Sequence, residues 1–356
     1  MSIEMTSYER FKCVYDRKEP DRIPMQDGPW GVTIARWRKE GLPANTDFAT
    51  FFGFDKVAGI GVDNSPRYPS KVVEDAPEYT IVTTGWGATM KNWKHAASVP
   101  EFLDFKIKDR ESWADAKSRM VPTKDRVNWD HLKNSYPIWR ENGYWINAGA
   151  WFGYDVFASW QVGTERMLMA MVIDPDWCSD MFNHALSIDL AMLEMVWDEG
   201  YKFDCISFPD DLGYRNGIFF DLDTYRSVLK PAHKRLCDWA HQRGVKVMLH
   251  SCGNILELLP DLIDAGIDGL NPLEVKAGMD VIELKAKYGS DLVLEGGIDV
   301  RLMPESDKIE EEIRTKISAA KVGGGYIYHS DHSVPDSVSF ADYCRVVALA
   351  KYYGRY

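Results

Sequence analysis

The stretch VKVMLHSCGN, residues 245–254, reads as a β-strand that ends at His250 and turns through Ser251, Cys252 and Gly253. Moving outward, helix-like and strand-like runs alternate. Toward the C-terminus come a helix over 254–265, the strand IDGLN (267–271), a helix over 279–288, the strand DLVLEG (291–296), a helix over 305–322 and the strand GYIYHS (325–330). Toward the N-terminus come a helix over 222–243, the strand FDCISF (203–208), helices over 175–199 and 155–171, and the strand YWINAG (144–149). Strands that alternate with helices form βαβ units and a parallel sheet. RIPMQDG (22–28) supplies a seventh strand, and the eighth is not assigned from the sequence. No GxGxxG follows a strand, which removes the usual reason to prefer an open dinucleotide-binding sheet. The expected fold is α/β, a single (β/α)₈ TIM barrel spanning residues 1–356.

The regular units occupy residues 131–356, and residues 1–130 form an irregular N-terminal part. That part should contain a helix over 4–18, stopped before Pro20, and a helix around 32–40. It also carries the phenylalanine cluster FATFFGFD and a hairpin across residues 78–94, where β-formers alternate around a Gly-rich turn.

Composition narrows the function. Of the 356 residues, 45% are hydrophobic and 13% aromatic, enough for a large core and aromatic-lined pockets. The net charge of −12 and the lack of a dense basic run argue against nucleic acid as a partner. Six scattered cysteines read as reduced thiols rather than a disulfide framework. The charged N-terminus lacks the apolar core of a signal peptide, and no apolar run reaches membrane-spanning length. A cytoplasmic enzyme is expected. The oligomeric state is not readable, and a homodimer is compatible with the sequence.

Each strand is followed by polar residues: Asp27, Asn147, Asp210 and Asp211, His250 and Cys252, Asn271 and Glu274, Glu295 and Asp299, then His329, Asp331 and His332. In a barrel these positions converge at the C-terminal mouth, where barrel enzymes do their chemistry. His250 and Cys252, two positions apart at a strand end, can face the same side of the chain. Imidazole and thiolate suit zinc, whose catalytic sites use three protein ligands and keep one position open. His332 and His329 both fit as the third ligand, and Asp331 could ligate or orient an imidazole. Asp210, Asp211 and Glu274 are candidate acid, base or substrate-orienting groups. Asp27, Trp30, Asn147, Trp151, Asn271 and His329 are candidate substrate contacts.

Several of these residues also carry a resemblance. WFGYD (151–155), the IDP around Asp174 and Pro175, FPDD (208–211), KP (230–231), HSCGN (250–254), GIDGLN (266–271), EGGID (295–299) and GGGYI (323–327) resemble the uroporphyrinogen decarboxylase superfamily. That resemblance implies a (β/α)₈ barrel and covers most of the chain, more weakly before residue 130. Uroporphyrinogen decarboxylases proper use no metal and carry an arginine-rich N-terminal motif. Here the matching stretch, MQDGPWGVT (25–33), has no arginine. The chain is more similar to the corrinoid-linked methyltransferases, such as methylcobalamin:coenzyme M methyltransferases and the first methyltransferases of O-demethylase systems.

That branch implies zinc on His250, Cys252 and a later residue, often Cys, which aligns best with His332. Imidazole for thiolate at that position would raise the charge of the site by about one unit and favour Lewis-acid work on oxygen. The resemblance further implies a partner corrinoid-binding protein and a small methyl donor or acceptor, such as an aryl methyl ether undergoing O-demethylation. A metal-free decarboxylase of a polycarboxylate and a non-catalytic accessory protein of a corrinoid system are the two other readings.

Overall fold

Seven parallel strands form one curled sheet: Val57–Ile60, Trp145–Gly149, Cys205–Pro209, Lys246–His250, Gly269–Asn271, Val293–Glu295 and Tyr326–Ile327. Every neighbouring pair is parallel. The structure, a computed structural model, describes residues 4–95 and 99–356. All six strands expected between residues 144 and 330 are present. The strand missing from the sequence reading is Val57–Ile60, a run of four residues with Gly59 inside it and Gly61 just after.

The expected first strand, around Met25, takes the remaining place in the ring. Met25 pairs in parallel with Tyr328. Tyr328 N donates to Pro24 O at 2.9 Å, and Gln26 N donates to Tyr328 O at 3.0 Å. On its other side, Asp55 N donates to Met25 O at 3.0 Å, two residues before the Val57–Ile60 strand. The fold is therefore TIM-barrel-like, with a helical extension.

The helix Ser7–Tyr15 plugs the bottom of this barrel. It starts at a capping box in which Thr6 and Glu9 satisfy each other's backbone N–H. Phe11 and Tyr15 stack on Trp145, each at 5.4 Å between ring centroids. Together with Cys205, Met248, Val293 and Ile327, they make a buried layer inside the barrel, separate from the larger core between strands and outer helices. Buried Arg10 anchors the helix by binding Asp55 and, at 2.7 Å, Asp21. Asp55 also accepts from Met25 N at 2.8 Å, so one carboxylate ties the plug to the first barrel segment.

Two expected helices differ in detail. The run 155–171 is two helices, Tyr154–Trp160 and Thr164–Ile173. Gly163 separates them at φ +98, where an added Cβ would lie 2.8 Å from the Phe105 ring. The run 222–243 carries a π-helical turn at Tyr225–Leu229 just before Pro231, whose ring cannot donate to the helix ladder. In the N-terminal part, the expected hairpin forms the two central strands of an antiparallel sheet: Lys71–Asp75, Tyr79–Thr83, Ala88–Trp93 and Glu101–Phe105. Its turn brings Trp86 to 6.3 Å from Trp151, above the barrel mouth. Among the described residues no helix is long and apolar enough to cross a membrane.

Candidate metal centre at the barrel mouth

The strand Lys246–His250 delivers His250 to the mouth, and the neighbouring strand delivers Asn271 beside it in register. His250 Nδ1 lies 2.6 Å from Asn271 Oδ1. An amide oxygen only accepts, so Nδ1 carries the ring proton and Nε2 presents its lone pair. That lone pair faces Cys252 Sγ at 3.6 Å and Asp211 Oδ1 at 3.9 Å. Ligand atoms of Asp211, His250 and Cys252 all lie within 4.8 Å of one another, and all three residues are half-buried.

The turn that holds Cys252 is built by carboxylates and by glycine. Cys252 N donates to Asp211 Oδ1 at 2.7 Å, and Gly253 N donates to Glu274 Oε2 at 2.7 Å. Gly253 has φ +81, and a Cβ there would sit 2.3 Å from the backbone carbon of Gly213. Two loops thus meet backbone to backbone, which only glycine permits.

The local charge is negative. Burial, then Asp211 and Glu274, holds the Cys252 thiol well above its ordinary pKa. A buried thiol between carboxylates is a poor thiolate until a cation arrives; a divalent ion would invert that balance. Asp155, half-buried, is pushed up to about 7, first by burial and then by Asp211. Its Oδ1 accepts from Ser159 Oγ at 2.7 Å. Asp155 is a mouth residue that was not singled out from the sequence, although it closes the WFGYD motif.

The other expected site residues separate into groups. Asp210 is fully buried: it accepts from Asp155 N at 2.8 Å and lies 2.9 Å from His233 Nε2. It braces the mouth from behind rather than facing it. Glu274 uses one oxygen on Gly253 N and the other on Lys276 Nζ, at 2.7 Å. Asp331 is buried and accepts from Val275 N and Val300 N, both at 3.0 Å, so it clamps loops. His332 falls outside the Asp211–His250–Cys252 group; its ring lies 6.1 Å from that of Trp30. Trp30 also starts the helix Gly31–Glu40. The Trp151 ring is exposed at the mouth, and its backbone N–H donates to Asp189 Oδ2 at 2.9 Å.

Asp27, Asn147, Asn271 and His329 line a cavity along the barrel axis, together with His250 and Glu295. Asp27 Oδ2 accepts from Ser330 Oγ at 2.7 Å and from Tyr343 OH at 2.8 Å. Glu295 is buried, and that burial raises its pKa.

A family model described as uroporphyrinogen decarboxylase (URO-D) matches residues 157–353. Among curated protein sequences, none matches the chain. Among solved structures, a methyltransferase from Methanosarcina mazei superposes with a TM-score of 0.62 at 17% identity, covering 98% of each chain. That likeness shows a shared fold. A psychrophilic glycoside hydrolase family 10 endo-β-1,4-xylanase is similar over 66% of this chain and 84% of its own, at 11% identity and a TM-score of 0.38. The family match takes in the strands and turns that bring His250, Cys252 and Asp211 together, and on it the chain belongs to the uroporphyrinogen decarboxylase (URO-D) family.

Proposed function

We propose that the protein is a zinc-dependent methyltransferase that moves a methyl group between a small substrate and a corrinoid carried by a partner protein. The observation that carries the reading is the meeting of a carboxylate oxygen, an imidazole nitrogen and a thiol sulfur within 4.8 Å at the barrel mouth. Oxygen, nitrogen and sulfur donors are the mixed set that zinc accepts, and three of them leave a coordination position open. Asp211, His250 and Cys252 would hold the ion. When bound, it supplies a Lewis acid for the heteroatom that carries the methyl group.

In this reading Asp211 takes the third place that the resemblance gave to His332. Two anionic donors then offset the charge of a divalent ion, so the extra positive unit expected from a second imidazole is not needed. The chain's other residues position and protonate. Asn271 holds the His250 ring, and Glu274 and Asp211 hold the Cys252 turn. Asp155, whose pKa is pushed up to about 7, can give or take a proton beside Asp211. Trp86 and Trp151 offer aromatic surface above the mouth, suited to an aryl methyl ether.

The test is metal analysis of the purified protein, combined with methyl transfer to cob(I)alamin from a panel of aryl methyl ethers. The expected result is bound zinc and transfer that a chelator abolishes. A Cys252→Ala variant with full zinc content and unchanged activity would sink the assignment.

A further inference from the structure

The barrel is not filled along its axis. A cavity of about 210 Å³ lies beneath His250, floored by Phe11, Tyr15 and Trp145. Barrel interiors are ordinarily packed with branched aliphatic side chains. Here the level above the floor is polar instead, with Asn147, Ser207, Asn271, Glu295 and His329 turned inward. Buried polar groups are costly unless something satisfies them.

The donors and acceptors around this space do not balance. His250 Nδ1–H is spent on Asn271, and His329 Nδ1–H is spent on the Ser330 carbonyl at 2.7 Å. Asn147 Oδ1 is buried and has no donor among the described residues. Glu295 is only 8% exposed, and its one donor, Gln26 Nε2, stands at 3.5 Å. Asp27 is satisfied by Ser330 and Tyr343. Among the described residues no lysine or arginine lines the cavity. What the walls leave unpaired is acceptor oxygen, on Asn147 and Glu295, and with no fixed cation beside Asp27 and Glu295 they would repel a second anion.

We propose that this axial cavity binds the part of the substrate that does not carry the methyl group, and that Asn147 and Glu295 select O–H or N–H donors there over anionic groups. The ligand class is a small neutral hydroxyl compound or a small ammonium; a carboxylate or sulfonate of similar size is excluded. The space equals about seven water molecules, which admits a single ring or a short chain. The proposal rests on the placement of the reacting centre at His250.

The experiment is calorimetric titration of the full-length protein with catechol and methylammonium as donor probes, and with benzoate and methanesulfonate as anionic counterparts. The donor probe that binds tells a hydroxyl from an ammonium source. At least one donor probe should bind at least about tenfold more tightly than its anionic counterpart, a difference the size of one good hydrogen bond. Glu295→Gln and Asn147→Leu should each weaken that probe by about tenfold, and Glu295→Gln should narrow the gap to the anion. The proposal is overturned if neither donor probe binds at millimolar concentration, if anions bind as well as donors, or if both folded variants bind like the wild type. Methyl transfer is not read in this titration. Donor selectivity without methyl transfer counts against the methyltransferase reading alone, and transfer without selectivity counts against the cavity alone.

Discussion

Asn271 decides which nitrogen of His250 faces the mouth. The 2.6 Å contact from His250 Nδ1 to Asn271 Oδ1 fixes the ring proton on the inner nitrogen and leaves Nε2 open toward Cys252 and Asp211. Partners of this kind orient a ligand and raise its basicity. Asn271→Leu should therefore weaken zinc binding by about 10- to 100-fold, whereas Asn271→Asp, which keeps the accepting oxygen, should stay close to the wild type. Competition with a coloured chelator measures both. Equal affinity for wild type and Asn271→Leu would show that the contact does not serve a metal.

The choice of third donor is open to a direct comparison. Asp211→Asn should lower zinc affinity by at least about tenfold, because an amide oxygen is a weak substitute for a carboxylate. His332→Ala should change it by less than about threefold, since that ring stands against Trp30. The opposite ranking would return the third place to His332.

Asp155 ties stability to pH. Its carboxyl ionises near 3.8 in the unfolded chain and at about 7 when folded. Between those values the native state holds a proton that the unfolded state has lost. Stability from this group is thus complete below about pH 4 and falls away as pH rises through about 7. Asp155→Asn removes that slope. In metal-free protein the variant should match the wild type near pH 4 and exceed it at pH 8 by up to about 4 kcal/mol, less whatever water at this half-buried carboxyl screens. Denaturant titrations at the two pH values check this, and parallel curves would refute it.

Gly253 offers a test of how the turn is built. A Cβ at φ +81, 2.3 Å from the backbone of Gly213, cannot be accommodated by a side-chain shift. Gly253→Ala should cost about 2–4 kcal/mol and lower zinc affinity with it, whereas the same change at Gly244, where a Cβ meets nothing within 4 Å, should spare the metal. Thermal unfolding and metal titration distinguish the two variants.

Much of this was legible in the chain. The alternation of apolar strands with helices gives a parallel βαβ sheet, the missing GxGxxG favours its closure into a barrel, and the six strands from residue 145 onward sit where the pattern puts them. Val57–Ile60 escaped because four residues with a glycine among them carry no period to read. The break at Gly163 and the π turn before Pro231 escaped because both depend on what packs against them. At the site, His250 and Cys252 were readable because they are neighbours in sequence. Which of Asp211 and His332 stands beside them was not, because it turns on which strand-end loop leans over the mouth. The register that sets Pro209 beside His250 puts Asp211 next to the HSCGN turn. The loop after Tyr326–Ile327 instead carries His332 toward Trp30. Asp155 carried one faint signal, its place at the end of WFGYD, but its pKa depends on burial that no local pattern reveals.

The most direct test of the metal centre is X-ray absorption at the zinc edge on the loaded protein, with Cys252→Ala alongside. The account predicts one sulfur scatterer at about 2.3 Å with nitrogen and oxygen at about 2.0–2.2 Å, and loss of the sulfur shell in the variant. A protein that takes up no zinc, or a zinc shell without sulfur in the wild type, would contradict it.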